Sequence, residues 1–201
     1  AITSNYTTNC NWTTAQLFEL NFAQRGDTIF VTHRDNPIRR IFRESATSFT
    51  CSAFTFDENT AISNGGVNKS LQPFYKYADS GITISLSANS VGTGRTATAS
   101  AATFTSNQVG DYIEINKKQG KITGYTSSTV VTIHIIEDMG STGPHSDWKE
   151  QTISAKRGYP QAVTFHDARL WLGGVKSRPA SLLASQIGHY YDFDIGTGLD
   201  D

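Results

Sequence analysis

GDTIFVTHRDNPIRRIFRESATSFTCSAFTF (residues 26–56) and YPQAVTFHDARLWLGGVKSRPASLLASQIGHYYDF (residues 159–193) carry one pattern twice. With Pro37 set against Pro179, Ile29-Phe30-Val31 falls opposite Leu170-Trp171-Leu172, with one extra residue placed in the second turn. Ile41 and Leu183 both lie four residues past the proline, and Phe49 and Tyr191 both lie twelve past it. In the first copy, residues 28–33, 38–43 and 49–56 read as three strands, with Arg34-Asp35-Asn36-Pro37 supplying turn chemistry between the first two. Strands at this spacing make an antiparallel meander, and a repeated meander is the sequence sign of stacked or radially arranged sheets.

Working outward, Thr13-Thr14-Ala15-Gln16 has the form of a capping box. Leu17 and Leu20 then recur at helical spacing, which predicts a short helix over residues 14–23. Residues 1–12 are polar and read as extended or poorly ordered chain, and residues 57–73 as a long loop over a surface or against a partner. Between the two copies the texture changes. Ile82–Leu86 alternates cleanly, a glycine- and serine-rich turn covers 87–95, and 96–104 is a strand of small residues. Residues 112–115, 121–123 and 129–136 follow as strands. Five short strands in this span predict a small closed barrel or immunoglobulin-like sandwich, inserted at residues 79–148. Its exit linker is the Gly- and Pro-bearing stretch 139–149. The expected organisation is a propeller-like body formed by 1–78 and 149–201, interrupted by that insert. The expected fold class is all-β with one short N-terminal helix.

Composition supports strands and turns. Of 201 residues 37% are apolar and only 17% charged, with Ser, Thr, Gly and Asn filling the difference. A formal net charge of −1 provides no global field to recruit nucleic acid or an anionic membrane. Cys10 and Cys51 have no zinc or redox spacing and read as small buried side chains; a disulfide between them would need an oxidising compartment. The sequons at Asn5, Asn11 and Asn68 are expected by chance in a chain so rich in Ser and Thr. The first residue is not Met, and the chain stops on Gly-Leu-Asp-Asp just after an aromatic segment, which suggests a piece of something longer.

No catalytic signature is present. His33, His134, His145, His166 and His189 lack HExxH or Cys-cluster spacing, and each reads as structural or surface-exposed. There is no G-x-S-x-G elbow, and Gly92-Thr93-Gly94-Arg95 lacks the GK[ST] and helix of a phosphate loop. The tail from Asp192 to Asp201 places oxygens at alternate positions like a calcium loop. It has Thr197 where the loop glycine belongs and no twelfth-position Glu. Arg34, Arg39, Arg40 and Arg43 cluster, but period-two alternation puts Arg39 and Arg43 on one face and Arg40 on the other, so they form no phosphate stripe. These residues assign no catalytic, cofactor or metal site.

One family accounts for several of these stretches. Arg157-Gly158-Tyr159-Pro160, then Arg169-Leu170-Trp171-Leu172-Gly173-Gly174, then Lys176-Ser177-Arg178-Pro179, resembles the nozzle protein of short-tailed bacteriophages. That family is also called tail tubular protein B or packaged-DNA stabilisation protein. Ser185–Phe193 continues the likeness, with His189 in place of the usual acidic residue. Leu17, Leu20, Phe22, Gln24, Asp27, Phe30, His33 and Pro37 fit the family's N-terminal segment, and residues 102–136 fit its insert.

The resemblance implies a non-enzymatic virion component without cofactors. It implies a hexameric ring at the distal end of a phage tail, assembled in the host cytoplasm. Such a ring docks on the adaptor, bears fibres or tailspikes, and lets genomic DNA pass without sequence-specific binding. Ring assembly needs interface anchors, and Tyr125, Trp148, Tyr190 and Tyr191 are candidates against ordinary core packing. A second reading is a carbohydrate-binding β module of a tail fibre or cell-surface protein, which would use exposed Tyr and Trp, Trp148 among them, with Asn/Asp-rich loops. A third is a hydrolase with carboxylates among Asp167, Asp192 and Asp194.

Overall fold

A computed structural model describes residues 10, 12–79 and 81–194. Strands make up 52% of the chain, and among the described residues no helix reaches seven residues, so the fold is all-β. The chain forms two compact units. One comprises Ala1–Phe56 and Arg157–Asp201, the other Asp57–Lys156. The middle unit is therefore wider than the expected 79–148. Residues on both flanks are drawn in by strand pairing: Phe74–Tyr75 pairs with Trp148–Gln151, through Glu150 opposite Tyr75 and Gln151 opposite Phe74.

In the first unit, β1 (Asn21–Arg25), β2 (Thr28–His33), β3 (Asn36–Arg43) and β4 (Phe49–Ala53) form a four-stranded antiparallel sheet in sequence order. Strands stand at residues 28–33 and 38–43 as expected, the second opening two residues earlier at Asn36. The helix over 14–23 does not form: only a 3₁₀ turn, Gln16–Glu19, is present. The capping pair precedes it, with the Thr13 amide donating to Gln16 Oε1 at 2.9 Å and the Gln16 amide to Thr13 Oγ1 at 3.4 Å. From Asn21 the chain instead pairs with β2 through five residues across a two-residue turn at Gly26 and Asp27. A short helix with exposed apolar residues buries too little to compete with a hairpin that satisfies its backbone groups. Residues 1–9 and 11 lie outside the described residues, so the extended reading of 1–12 is testable only at Cys10 and Trp12. Cys10 forms a disulfide with Cys51 of β4, Cα–Cα 6.0 Å, which settles the pairing that the sequence left open.

The second copy folds as β14 (Ala162–His166), β15 (Arg169–Val175) and β16 (Arg178–Ala184), a three-stranded sheet. Both hairpins close with two residues, Arg34-Asp35 and Lys176-Ser177, just before the residue that precedes the proline. The extra residue of the second copy is therefore not in the turn. It lies between Arg178 and Leu182, where β16 falls out of step with β15. Nor does the equivalence of Phe49 and Tyr191 survive. Phe49 opens β4, whereas the described residues after β16, 185–194, turn back on themselves through Gln186–Asp192 hydrogen bonding and form no fourth strand.

At the start of the second copy, Gly158 sits at φ +86°, and a Cβ there would overlap the Cβ of Lys176. The backbone beside it is anchored by the Tyr159 amide on Arg34 O and the Ser177 amide on Arg157 O. Gly158→Ala is expected to destabilise this unit by about 2 kcal/mol through left-handed strain and that overlap. An unchanged urea midpoint would contradict this account.

The second unit contains β5 (Glu58–Asn64), β6 (Val67–Ser70), β7 (Phe74–Tyr75), β8 (Ile84–Leu86), β9 (Gly92–Ala99), β10 (Tyr112–Ile115), β11 (Lys118–Ser127), β12 (Val130–Ile135) and β13 (Trp148–Gln151). Seven of them make one antiparallel sheet, ordered β7-β13-β10-β11-β12-β9-β8. It curls into a half-barrel rather than the expected closed barrel or sandwich. Residues 57–73, expected as a loop, carry the β5–β6 hairpin.

Alternation fills the concave side: Ile84 and Leu86, Ala97 and Ala99, Ile113 and Ile115, and Val131, Ile133 and Ile135 are all buried there with Trp148. The stretch 139–149 is not a linker. Met139 and Trp148 lie in this core, and His145 bridges to Ile84 with mutual backbone bonds of 2.8 and 2.9 Å.

Candidate functional site

Three of the five histidines, His33, His134 and His145, are buried and serve the fold, while His166 and His189 are exposed. His33 Nδ1 accepts the Asp35 amide at 3.1 Å, so Nε2 carries the hydrogen and donates to Glu19 at 3.1 Å. His134 is buried, with Nε2 2.9 Å from Asn64 Oδ1, and the missing side chain of Gly65 leaves room for its ring. His145 is buried between Asn116 Nδ2, at 2.7 Å from Nδ1, and the Ser141 carbonyl, at 3.0 Å from Nε2. His166 is exposed beside Asp167. Among the described residues no group of three or more His, Cys, Asp or Glu is placed to hold a metal. Asp192 and Asp194 are described, and the remainder of the calcium-like tail lies outside the described residues. Asp192 Oδ1 accepts the Asp194 amide at 2.9 Å, a turn contact. Asp167 is on the surface in the β14–β15 turn, so the three carboxylates of the hydrolase reading carry turn and surface contacts.

Of the four candidate anchors, Trp148 is a core residue, 1% exposed, with its indole N–H on the Ile82 carbonyl at 2.8 Å. This overturns its reading as an interface or sugar-stacking residue. Tyr190 and Tyr191 are half-buried in the seam between the two copies of the repeat. There Phe30 packs edge-on against Phe54 and Phe165, with Tyr191 at 5.7 Å and Phe56 against Phe193 beyond. Arg25 lies 4.6 Å over the Tyr190 ring and Arg40 5.8 Å over Tyr191. Tyr125 alone stays exposed, at 39%.

The sequence reading missed a cluster in the second unit. Glu150 is buried; Lys156 Nζ stands 3.0 Å from its Oε2, and Gln108 Nε2 donates to the same oxygen at 3.0 Å. Lys156 also donates to the Thr103 carbonyl, and Gln151 Nε2 donates to Asp111 Oδ1 at 2.9 Å. Burial, then the Glu150 charge, push the Asp111 carboxyl up to about 7, with Lys156 opposing. Folded Asp111 thus holds a proton that the unfolded chain has released between its ordinary 3.8 and about 7. This contribution to stability is full below that window, falls as pH rises through it, and is flat above. Discounted for partial exposure and coupling, the fall amounts to about 2 kcal/mol. Asp111→Asn keeps an oxygen for Gln151 and should flatten the profile, measured by denaturant titration from pH 4 to 8. A variant that retains the wild-type slope would place its source elsewhere. Carboxylates at positions 111 and 150 meet because β10 pairs with β13, with Ile113 opposite Glu150. No local spacing signals that.

The two faces of the β1–β4 sheet differ. Arg25, Phe30, Arg40 and Ser52 face the aromatic seam, and Arg40 Nε donates to Ser52 Oγ at 2.8 Å. On the other face Gln24, Ile29 and Ile41 form one cross-strand row and Arg43 with Phe49 the next. These residues, with Asp27 and Ala46, line a pocket of about 340 Å3. Large apolar side chains are also exposed on this unit, led by Phe18 at 91%, with Leu17, Phe22, Leu182 and Ile187. Burial of neighbours decides such exposure, and the one-dimensional pattern marked the tyrosines instead. Compared with known proteins, the chain matches no family model and no curated protein.

Proposed function

We propose that this chain is a structural component of a short-tailed phage tail, part of the nozzle ring around the DNA channel. The observation that carries the reading is the doubled strand–turn–strand unit whose second copy bears the Gly158-Tyr159-Pro160, Leu170-Trp171-Leu172-Gly173-Gly174 and Arg178-Pro179 run. Its two copies are blade-like antiparallel sheets with a shared aromatic seam, a suitable body for repetition around an axis. The partners under this reading are further copies in a hexamer, the tail adaptor, and a fibre or tailspike. The chain does no catalysis and uses no cofactor.

DNA passes as a sliding cargo. A near-neutral chain suits that role, because many phosphate contacts would hold the duplex by counterion release. A reducing host cytoplasm leaves Cys10 and Cys51 as thiols, so under this reading their bond closes after release into oxidising surroundings.

The test is mass-resolved chromatography and electron microscopy of the complete protein, alone and with the adaptor of the same virion. Closed rings, or adaptor-dependent assembly, are expected. A strict monomer that ignores the adaptor would sink the proposal.

A further inference from the structure

We propose that the pocket on the face of the β1–β4 sheet turned away from the aromatic seam is a binding site for a neutral saccharide residue. The sheet presents this face away from the aromatic seam, and its floor is apolar: Ile29 opposite Ile41 across β2 and β3, with the half-buried Phe49 on β4 beside them. Gln24, Asp27 and Arg43 stand on the rim, all exposed. Their chemistry is partly committed in a way that aims the remainder outward. Gln24 Nε2 donates to the Gly26 carbonyl at 3.0 Å, which leaves Oε1 as the acceptor. Arg43 Nε donates to the Ser45 carbonyl at 3.0 Å, which holds the guanidinium stem and leaves the two terminal nitrogens as donors. The Arg43 amide donates to the Asp27 carbonyl at 2.9 Å and joins the β1–β2 turn to the end of β3, so both rim charges ride on hydrogen-bonded backbone. Among the described residues Arg43 has no ion-pair partner, Asp27 included.

The class of ligand follows from the mixture. An anion drawn to Arg43 meets the Asp27 carboxylate, and a cation drawn to Asp27 meets the guanidinium. A neutral ring with several hydroxyls satisfies both, donating to Asp27 and Gln24 Oε1 and accepting from Arg43. The C–H face of such a ring covers Ile29, Ile41 and Phe49, the pairing of apolar floor and few polar groups that small-molecule sites use. A pocket of about 340 Å3 takes one or two sugar rings and no long oligosaccharide. The site belongs to the first unit and is independent of Trp148. It does not depend on the chain being a ring component.

The experiment is a titration of the oxidised, isotope-labelled chain with D-glucose, D-galactose, D-mannose and N-acetyl-D-glucosamine, followed by amide and side-chain chemical shifts. At least one sugar should shift Gln24, Asp27, Arg43 and Phe49 saturably, with a dissociation constant below about 10 mM. Arg43→Met keeps the apolar stem and removes the donors, and should weaken that binding about tenfold or more. Phe49→Leu should weaken it with the hydroxyl contacts intact. No saturable shift with any of the four sugars would overturn the proposal. So would shifts confined to other residues, or equal binding of zwitterionic L-leucine, which would mark an amino-acid site. The dispersed spectrum of each variant reports its fold in the same measurement.

Discussion

Trp148→Ala should remove about 3–5 kcal/mol from the second unit, the largest effect of any single substitution considered for it. Trp148 is 1% exposed, stands opposite Ile115 across the β10–β13 pair, and lies 6.4 Å from the Phe104 ring. Removing it opens a cavity among Ile84, Ile113, Ile115 and Phe104, none of which is a terminal residue free to collapse inward. It also strips the Ile82 carbonyl of its indole donor. Equilibrium denaturation monitored at the strands of this unit, with hydrogen exchange at Ile113, Val131 and Ile133, measures the loss. Trp148→Phe, which keeps most of the volume but not the N–H, should cost clearly less. Near-equal stability of the Ala variant and the wild type would place Trp148 on a surface, and with it restore an interface or sugar-stacking role.

The second large effect belongs to the first unit. Cys10 and Cys51 are 41 residues apart, and closing a loop of that length restricts the unfolded chain by about 4 kcal/mol at 25 °C by chain entropy. Reduction, or Cys10→Ser, should lower stability by roughly 2–4 kcal/mol, since engineered and native bridges commonly deliver somewhat less than the entropic figure. Cys51 lies on the Gln24–Ile29–Ile41 row, on the face turned away from the seam, so the bond also ties the segment before β1 to the strand farthest from it in the sheet. Denaturant midpoints with and without reductant give the answer, and identical midpoints would contradict it. The two experiments separate cleanly, because one cavity lies in the second unit and the crosslink in the first.

What could be read in advance follows one physical rule. Where one face of a strand is buried and the other wet, alternation appears in the residues themselves. Residues 112–115 and the first half of 130–135 were legible for that reason. Where burial is slight, the pattern misleads. Leu17 and Leu20 have helical spacing, yet β1 forms because hairpin pairing satisfies more backbone than a short exposed helix.

Turn residues misled in the opposite direction. Gly140, Gly143 and Pro144 mark a break in the strand pattern, but a break in periodicity is not an exit from the core, and Met139, His145 and Trp148 are buried around it. The arginines obeyed the period-two rule, with Arg40 on the seam and Arg43 on the opposite face. Tyr190 and Tyr191, two of the three tyrosines chosen as outward anchors, line that seam instead, because an aromatic side chain with a buried neighbour of its own kind gains more by packing than by exposure.

The all-β class, the doubled meander and most strand positions were already written in the residues. Each of these is set by residues close together along the chain. Which strands pair, that the seven-stranded sheet stops at a half-barrel, that Cys10 reaches Cys51 and that Asp111 meets Glu150 were settled by tertiary packing. So was the face of the first sheet that carries the pocket. These depend on contacts between residues tens of positions apart. Loop closure costs entropy that grows only slowly with separation, so many pairings are open to such a chain, and packing selects among them.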